Sequence, residues 1–150
     1  MAPQLLYVGL GNMGRGMCLN LVKKGCLDKP LVVYNRTQKR CEDFAAQVGS
    51  DHAKMCTSLN EGVGSCDITF SWLGLDSAVA DIYESMAEGG DICRKLFTGI
   101  KIAKLMIDKG AEFVSSPAFG PSQVANSSTL IFATAGAKSS IDKLRPYIKG

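Results

Sequence analysis

The chain is expected to fold as an α/β domain, a doubly wound and mostly parallel sheet with helices on both faces. Three observations predict this. Short apolar runs alternate with amphipathic stretches of helical length along the 150 residues. The links between them are short, and repeated strand–helix units joined in that way imply parallel strands covered on both sides. The third observation is local. Gly9-Leu10-Gly11-Asn12-Met13-Gly14 stands directly behind Leu5-Leu6-Tyr7-Val8, so a buried strand runs into a glycine turn and then a helix. With 46% hydrophobic content the chain can bury one core, and by length it is a single domain.

Taken in order, residues 5–8 read as the first strand. Residues 13–24 read as a helix, since Met13, Met17, Cys18 and Leu21 fall on one stripe. Residues 31–34 are a strand after the Asp28-Lys29-Pro30 turn. Residues 38–48 are a helix that turns Cys41, Phe44, Ala45 and Val48 inward, with Thr37 placed to cap it. A short strand at 53–56 leads to Ser58-Leu59-Asn60-Glu61, a Ser-x-x-Glu capping box that opens a short helix. Residues 67–73 form a strongly apolar strand, and 76–87 a helix with Val79, Ile82, Tyr83 and Met86 on one face. A long helix follows at 93–109, where Leu96, Phe97, Ile100, Ala103 and Ile107 recur at helical spacing with lysines opposite. A strand at 112–115, a polar loop, a strand at 129–135 and a final helix at 139–148 complete the chain.

One join breaks the pattern. A helix ends in Gly89-Gly90, and Asp91-Ile92 runs straight into Cys93-Arg94-Lys95-Leu96, the start of the next. A parallel sheet requires a strand between consecutive covering helices, and two residues cannot cross it. Either the sheet is one strand short near residues 92–93, or a stretch of polypeptide is missing between Ile92 and Cys93. The second reading is favoured, because it explains the join without a new topology.

Composition narrows the function classes. The net charge of +3 is mild, and the cations are spread along helix faces without a dense basic block, so nucleic acid is not expected as a partner. No apolar run approaches a membrane span. Six cysteines lie far apart without a CxxC pair, and a lone His52 removes the usual zinc set. Free, largely buried thiols in a reducing compartment are expected, and with the first strand beginning by residue 5 there is no room for a leader; the expected location is cytoplasmic.

The glycine turn carries the chemistry. Glycines at Gly9, Gly11 and Gly14 let backbone N–H groups approach a pyrophosphate, and the helix N-terminus adds a partial positive charge. Twenty-one residues after Gly14 comes Asn35-Arg36-Thr37, at the end of the second strand. An NAD site places Asp or Glu there for the ribose 2′-OH, and flavin and S-adenosylmethionine sites tend to want an acid as well. This chain has instead Tyr34-Asn35-Arg36-Thr37-Gln38-Lys39-Arg40, a cation with hydroxyl and amide donors, which suits a 2′-phosphate. The expected cofactor is NADP(H). The plain alternatives are a glycine turn needed only for strand–helix packing, Arg36 as a solvated charge, and Thr37 as a helix cap.

These residues resemble the NADP-binding domain of the β-hydroxyacid dehydrogenases, the group that includes 3-hydroxyisobutyrate dehydrogenase, glyoxylate and succinic semialdehyde reductases and 6-phosphogluconate dehydrogenase. The turn with Met17, Asn20 and Leu21 is similar to the family opening G-L-G-x-M-G-x-x-M-x-x-N-L, and Asn35-Arg36-Thr37 is the form of its NADP-using members. Asp67-Ile68-Thr69-Phe70-Ser71-Trp72-Leu73 followed by Asp76-Ser77-Ala78-Val79 resembles D-V-V-F-T-M-L-P-D-D-x-A-V. Gly110-Ala111-Glu112-Phe113-Val114 and Pro117-Ala118-Phe119-Gly120 resemble G-A-x-F-x-D-A-P-V-S-G, and Thr129-Leu130 falls where the family resumes with T-L. The departures are equally specific. The family strand bearing D-x-S-T is what the join at 92–93 lacks, and Cys93-Arg94-Lys95-Leu96 resembles the helix beyond it. Phe119 stands at the family serine and Pro121 at the next glycine. The family's catalytic lysine lies in a second, all-helical domain, and no lysine here falls on its motif.

The resemblance implies a Rossmann-type domain over residues 1–150, without the C-terminal helical domain that carries catalysis and dimerisation. It implies hydride transfer between C4 of a nicotinamide and a small 3-hydroxyacid, or reduction of its aldehyde or ketone. Gly9, Leu10, Gly11, Asn12, Met13 and Gly14 would hold the pyrophosphate, and Asn35, Arg36 and Thr37 the 2′-phosphate. Leu73 and Gly74 would pass the ribose and diphosphate, with Val79 near the adenine; simple core packing is the plain alternative for Leu73 and Val79. Phe119 and Gly120 would face a small-molecule substrate, in a loop that otherwise reads as an ordinary polar turn. No catalytic residue is assigned, so the chain alone is expected to bind cofactor without turning over, and the full-length protein to be a homo-oligomer. A non-catalytic NADP(H)-binding module, acting as sensor or assembly surface, is the alternative.

Overall fold

The computed structural model describes residues 2–73, 96–98 and 103–148. The first half follows the predicted order: β1 (Leu5–Val8), α1 (Asn12–Lys24), β2 (Leu31–Tyr34), α2 (Gln38–Val48), β3 (Ala53–Met55), α3 (Leu59–Ser65) and β4 (Ile68–Ser71). The second half contains β5 (Leu96–Thr98), α4 (Ala103–Asp108), β6 (Glu112–Ser115), β7 (Ala118–Phe119), α5 (Ser122–Asn126), β8 (Ile131–Phe132), β9 (Ala135–Gly136) and α6 (Lys138–Ile148). The expected helix at 76–87 lies outside the described residues, and with it Gly74 and Val79.

Among the described residues the main sheet has the order β3-β2-β1-β4-β5-β6-β9, and β7 and β8 form a small antiparallel pair. Every neighbour in the main sheet is parallel except β9, which runs antiparallel to β6. The chain starts in the middle at β1, adds β2 and β3 on one side, then crosses to β4 on the other. That reversal opens a crevice at the carboxyl end of β1, where open α/β sheets bind ligands.

Strand periodicity divides the core into two halves. Leu5, Tyr7, Leu31, Val33, Ile68 and Phe70 face one side, packed with Cys18 and Leu21 of α1, Cys41 and Phe44 of α2 and Leu144 of α6. Leu6, Val8 and Val32 face the other, packed with Leu59 and Val63 of α3 and Met106 of α4. Successive strand side chains point to opposite faces, so a strand buried on both sides has no polar residue to alternate with. This explains why β1 and β2 read as continuous apolar runs. The doubly wound, mostly parallel fold predicted from sequence is the fold observed.

The expectation of a sheet one strand short is corrected. β5 pairs with β4 through Ile68 to Phe70 and with β6 through Glu112 to Val114, so Leu96-Phe97-Thr98 fills the slot. The long helix at 93–109 is therefore also corrected: Leu96–Thr98 is strand, and the described helix is α4 at Ala103–Asp108. The inward residue of α4 is Met106, fully buried, whereas Ile107 is 58% exposed. A short apolar run such as Leu-Phe cannot be assigned by periodicity alone, and the tertiary requirement for a strand prevailed. The polar loop contains β7 and α5, and the expected strand at 129–135 is two short strands in different sheets.

Other local expectations are met in part. Ser58 Oγ accepts from the Glu61 N–H at 3.2 Å, while the Glu61 carboxylate accepts from the Thr57 N–H and hydroxyl at 3.2 and 2.9 Å. Those bonds hold the Glu61 carboxyl below its usual range. Thr37 occupies the cap position of α2 with extended backbone, but its side chain makes no capping bond. Of the described cysteines, Cys18, Cys41, Cys56 and Cys66 are buried and Cys26 is exposed, and no two of the five are joined by a disulfide.

Candidate functional site

The glycine turn is built by three glycines under three different constraints. Gly9 has φ +102°, a left-handed conformation that a side chain disfavours, and a Cβ there would lie 2.1 Å from the Trp72 carbonyl oxygen at the end of β4. A Cβ on Gly14 would lie 2.0 Å from the Gly9 carbonyl oxygen, so α1 can begin hard against the turn only because Gly14 is bare. Gly11 differs: its φ is an ordinary −70°, and a Cβ would meet nothing within 4 Å. Two glycines are required by the fold. The third faces open space beside the helix N-terminus.

That N-terminus is electrostatically uncommitted. Gly11 caps α1 without a side-chain hydrogen bond, and no acidic residue occupies the first turn. The first N–H groups of a helix have no partner within it, and together with the helix dipole they favour an anion. The geometry at Gly11 and the first turn fits a nucleotide pyrophosphate.

The end of β2 is tied to the turn by Asn35. Its Oδ1 accepts from the Leu10 N–H at 2.9 Å, and its Nδ2 donates to the Thr37 carbonyl at 3.1 Å. A second tie runs from the Gly9 N–H to the Tyr34 carbonyl at 3.0 Å. Asn35 therefore positions the turn through its Oδ1 and fixes its own carboxamide through Nδ2 on the Thr37 carbonyl, while the neighbouring Arg36 and Thr37 side chains are exposed.

Between the turn and α2 lies a cavity of about 150 Å³ lined by Leu10, Gly11, Asn12, Arg15, Arg40 and Asp43. Sequence reasoning singled out the turn residues and missed Arg15 and Asp43; it counted Arg40 only as part of the cationic segment. Arg40 stands on the first turn of α2 and donates to the Leu10 carbonyl at 3.5 Å. Its signal was available, since the position three residues after Thr37 faces back over the helix start. Arg15 carried no such signal, because its neighbour Gln47 is 32 residues away and only the fold brings them together.

The other predicted residues are placed as follows. Asn12 is exposed and Met13 half-buried at the start of α1. Leu73 is half-buried against the second core half, with its Cδ2 3.4 Å from where a Gly9 Cβ would be, so it stands beside the glycine turn. Phe119 is 60% exposed and pairs across the β7–β8 ladder with Ile131, which is 70% exposed. Gly120 has φ +140°, and a Cβ there would lie 2.9 Å from Leu130 Cδ2. This arm follows β6 and so lies beyond the carboxyl end of the sheet. It is steadied from α1, where bare Gly16 admits Ala125 and Asn126 of α5, and Asn20 Nδ2 donates to the Ala125 carbonyl.

Among the described residues no group of three His, Cys, Asp or Glu side chains could hold a metal ion, and no helix is long and apolar enough to cross a membrane. Tyr7, whose hydroxyl is buried without a partner among the described residues, belongs to the core, its ring stacked on Phe70, and burial and then Cys18 raise its pKa.

Comparison with known proteins agrees with this geometry. An Aspergillus ustus protein named NADH-dependent oxidoreductase ucdB is 33% identical over 147 residues, covering 92% of this chain and 50% of its own length. Glyoxylate/succinic semialdehyde reductase 2, chloroplastic, of Arabidopsis thaliana is 31% identical over 153 residues, covering 95% of this chain and 41% of its own. Among solved structures, the 3-hydroxyisobutyrate dehydrogenase of Mycobacterium tuberculosis superposes with a TM-score of 0.83 at 23% identity, over 99% of this chain and 51% of that one. The chain thus spans about half the length of the relatives it matches. Residues 4–150 match the family described as the NAD binding domain of 6-phosphogluconate dehydrogenase. With the glycine turn, the switch point at β1 and that match in agreement, the chain belongs to the NAD-binding-domain family of 6-phosphogluconate dehydrogenase.

Proposed function

We propose that the chain is the NADP(H)-binding portion of an oxidoreductase that transfers hydride between the nicotinamide and a small 3-hydroxyacid or its aldehyde or ketone. The observation that carries the cofactor reading is the pairing of an open glycine, Gly11, with a cavity between the turn and α2 walled by Arg15 and Arg40. A pyrophosphate would meet the N–H groups of Gly11 to Gly14, and the 2′-phosphate would meet Arg36, Thr37 and Arg40, with Asn35 holding the turn to β2. The name of the A. ustus relative specifies NADH; here the cations at the β2 end favour the phosphorylated cofactor. When bound, the nicotinamide supplies the hydride chemistry, and these residues bind and orient it.

Phe119 and Gly120, beyond the carboxyl end of β6, would border the substrate, with a ring where the family has a hydroxyl. Proton transfer to the substrate oxygen requires a positioned acid–base, and no such group is assigned in this chain, so catalysis would need the remaining half of the relatives' length. That half would also cover the exposed Phe119 and Ile131, and the complete protein would be a homo-oligomer. The free thiols support a reducing compartment, the cytosol in this reading. The exposed Phe119 is also what favours a second reading, a non-catalytic NADP(H)-binding module that presents this arm to a partner.

The test is a fluorescence titration of Trp72, the sole tryptophan, which ends β4 with its N–H donating to the Val8 carbonyl at 2.8 Å. NADPH and NADP⁺ should quench it well below the concentration NADH requires. Equal response to NADH would remove the NADP reading, and no response to any of the three in a folded chain would remove the cofactor site.

A further inference from the structure

We propose that Arg15 is a second 2′-phosphate ligand, held over the cavity by Gln47 and acting with Arg40 to set the choice between phosphorylated and unphosphorylated nucleotide. The proposal rests on the NADP(H) reading above and assigns a specificity role to residues that the glycine motif and Asn35-Arg36-Thr37 do not include.

The geometry is specific. Arg15 projects from the first turns of α1 and Arg40 from the first turn of α2, and both line the same cavity. Arg15 Nη2 donates to Gln47 Oε1 at 2.5 Å. Gln47 is neutral, so it fixes the guanidinium without cancelling its charge. Among the described residues neither arginine forms an ion pair. The one carboxylate in the cavity wall, Asp43, is engaged elsewhere, with Oδ1 3.1 Å from Lys39 Nζ. Two unpaired guanidinium groups around one small opening repel each other unless an anion comes between them. The planar fork of arginine matches the oxygens of a phosphate.

The position selects which phosphate. A pyrophosphate would take the N–H groups at the start of α1. The cavity runs from that start, at Gly11 and Asn12, across to Arg40 and Asp43 of α2, the helix that follows β2, and a dinucleotide site reads the adenosine ribose at the end of the second strand. A 2′-phosphate would reach it, whereas a 5′-phosphate would stay on the turn.

The experiment is binding of 2′,5′-ADP and of 5′-AMP to the 150-residue chain and to Arg15→Gln, Arg40→Gln and Gln47→Glu, with thermal melts confirming that each variant is folded. Arg15→Gln should weaken 2′,5′-ADP roughly tenfold, the size of one charge-assisted hydrogen bond at a partly exposed site, and leave 5′-AMP within about twofold. Gln47→Glu keeps a partner for Arg15 but supplies a negative charge, so it should weaken 2′,5′-ADP and spare 5′-AMP. Equal weakening of both ligands by Arg15→Gln, or no weakening of either, would overturn the assignment of Arg15. If the unaltered chain binds 2′,5′-ADP no more tightly than 5′-AMP, the NADP(H) reading itself fails and the assignment goes with it. Loss in Arg40→Gln alone leaves that reading standing and removes Arg15.

Discussion

Gly11→Ala should separate the ligand role of the glycine turn from its fold role. At Gly11 an added Cβ meets nothing within 4 Å and the backbone is in an ordinary region. The stability cost reduces to exchanging Gly for Ala at a helix cap, about 0.5–1 kcal/mol. In a domain of this size that lowers the melting temperature by about 1–4 °C. Gly9→Ala is the control. Its φ of +102° costs a side chain about 1–3 kcal/mol. Its Cβ, 2.1 Å from the Trp72 carbonyl oxygen, must also push β4 away from the turn, for about 1–3 kcal/mol more. The expected fall is on the order of 10 °C. Cofactor binding should show the reverse contrast for Gly11→Ala: the new methyl occupies the face a pyrophosphate would approach. Losing one or two N–H bonds to an anion, each about 1.5–3 kcal/mol, weakens NADPH at least about tenfold. The assays are thermal melts without nucleotide and the Trp72 titration with NADPH. A Gly11→Ala chain that melts normally and binds NADPH as tightly as the unaltered one would refute the assignment of this turn to a phosphate. One that melts as low as Gly9→Ala would refute the packing account.

Three further outcomes follow from the described contacts. Asn35→Ala removes the side-chain bond from the end of β2 to the glycine turn and the local bond to the Thr37 carbonyl, leaves the Leu10 N–H without its Asn35 partner and should cost about 1–3 kcal/mol; Asn35→Asp, which keeps the acceptor, should recover part of it in chemical denaturation. Glu112, on β6, accepts from Lys143 and from the Ser140 hydroxyl, and these partners hold its carboxyl below the usual 4.5. A depressed folded pKa contributes stability above the unfolded value and loses it as pH falls through the folded one. The stability difference between the unaltered chain and Glu112→Gln should therefore be full near neutrality and shrink below pH 4.5; a difference that persists in acid would point to packing instead. Among the five described cysteines, Cys26 alone is exposed, while burial pushes Cys41 up to about 11 and Cys56 up to about 12. Peptide mapping after brief thiol labelling of the folded chain should find Cys26 modified and the other four protected.

The parts of this fold that were legible in sequence are those in which one local rule sufficed. Leu5 to Val8 is apolar at every position because both faces are covered, and the glycines that follow leave no alternative to a turn. Cys41 and Phe44 fall on one face of α2 at helical spacing, and both are buried. The reading failed where two rules competed. Leu96 and Phe97 satisfied a helical stripe with Ile100 and Ala103, yet the sheet takes Leu96–Thr98 as the strand between β4 and β6. The topological premise that a strand must stand there was sound, and Leu96–Thr98 supplies it. The β7–β8 arm was illegible for another reason: two-residue strands have no period to detect.

The site shows a parallel division. Asn35-Arg36-Thr37 was read as one phosphate-binding group, but the structure gives its members different tasks. Both ends of the Asn35 carboxamide bind backbone, one of them the Leu10 N–H within the glycine turn. Asn35 thus acts on the turn's shape, and in the proposed site recognition would fall to side chains free to reach a ligand. Arg36 and Thr37 are exposed, and Arg15 and Arg40 converge on one cavity from different helices. A linear motif records residues that share a strand end; it cannot record Arg15, which shares only the cavity. On this argument a preference for the 2′-phosphate is spread over two helices and a loop. If the proposed NADP(H) reading holds, an acid introduced at Arg36 alone would face the remaining positive field of Arg15 and Arg40, and conversion to NADH preference would require changes on α1 and α2 as well.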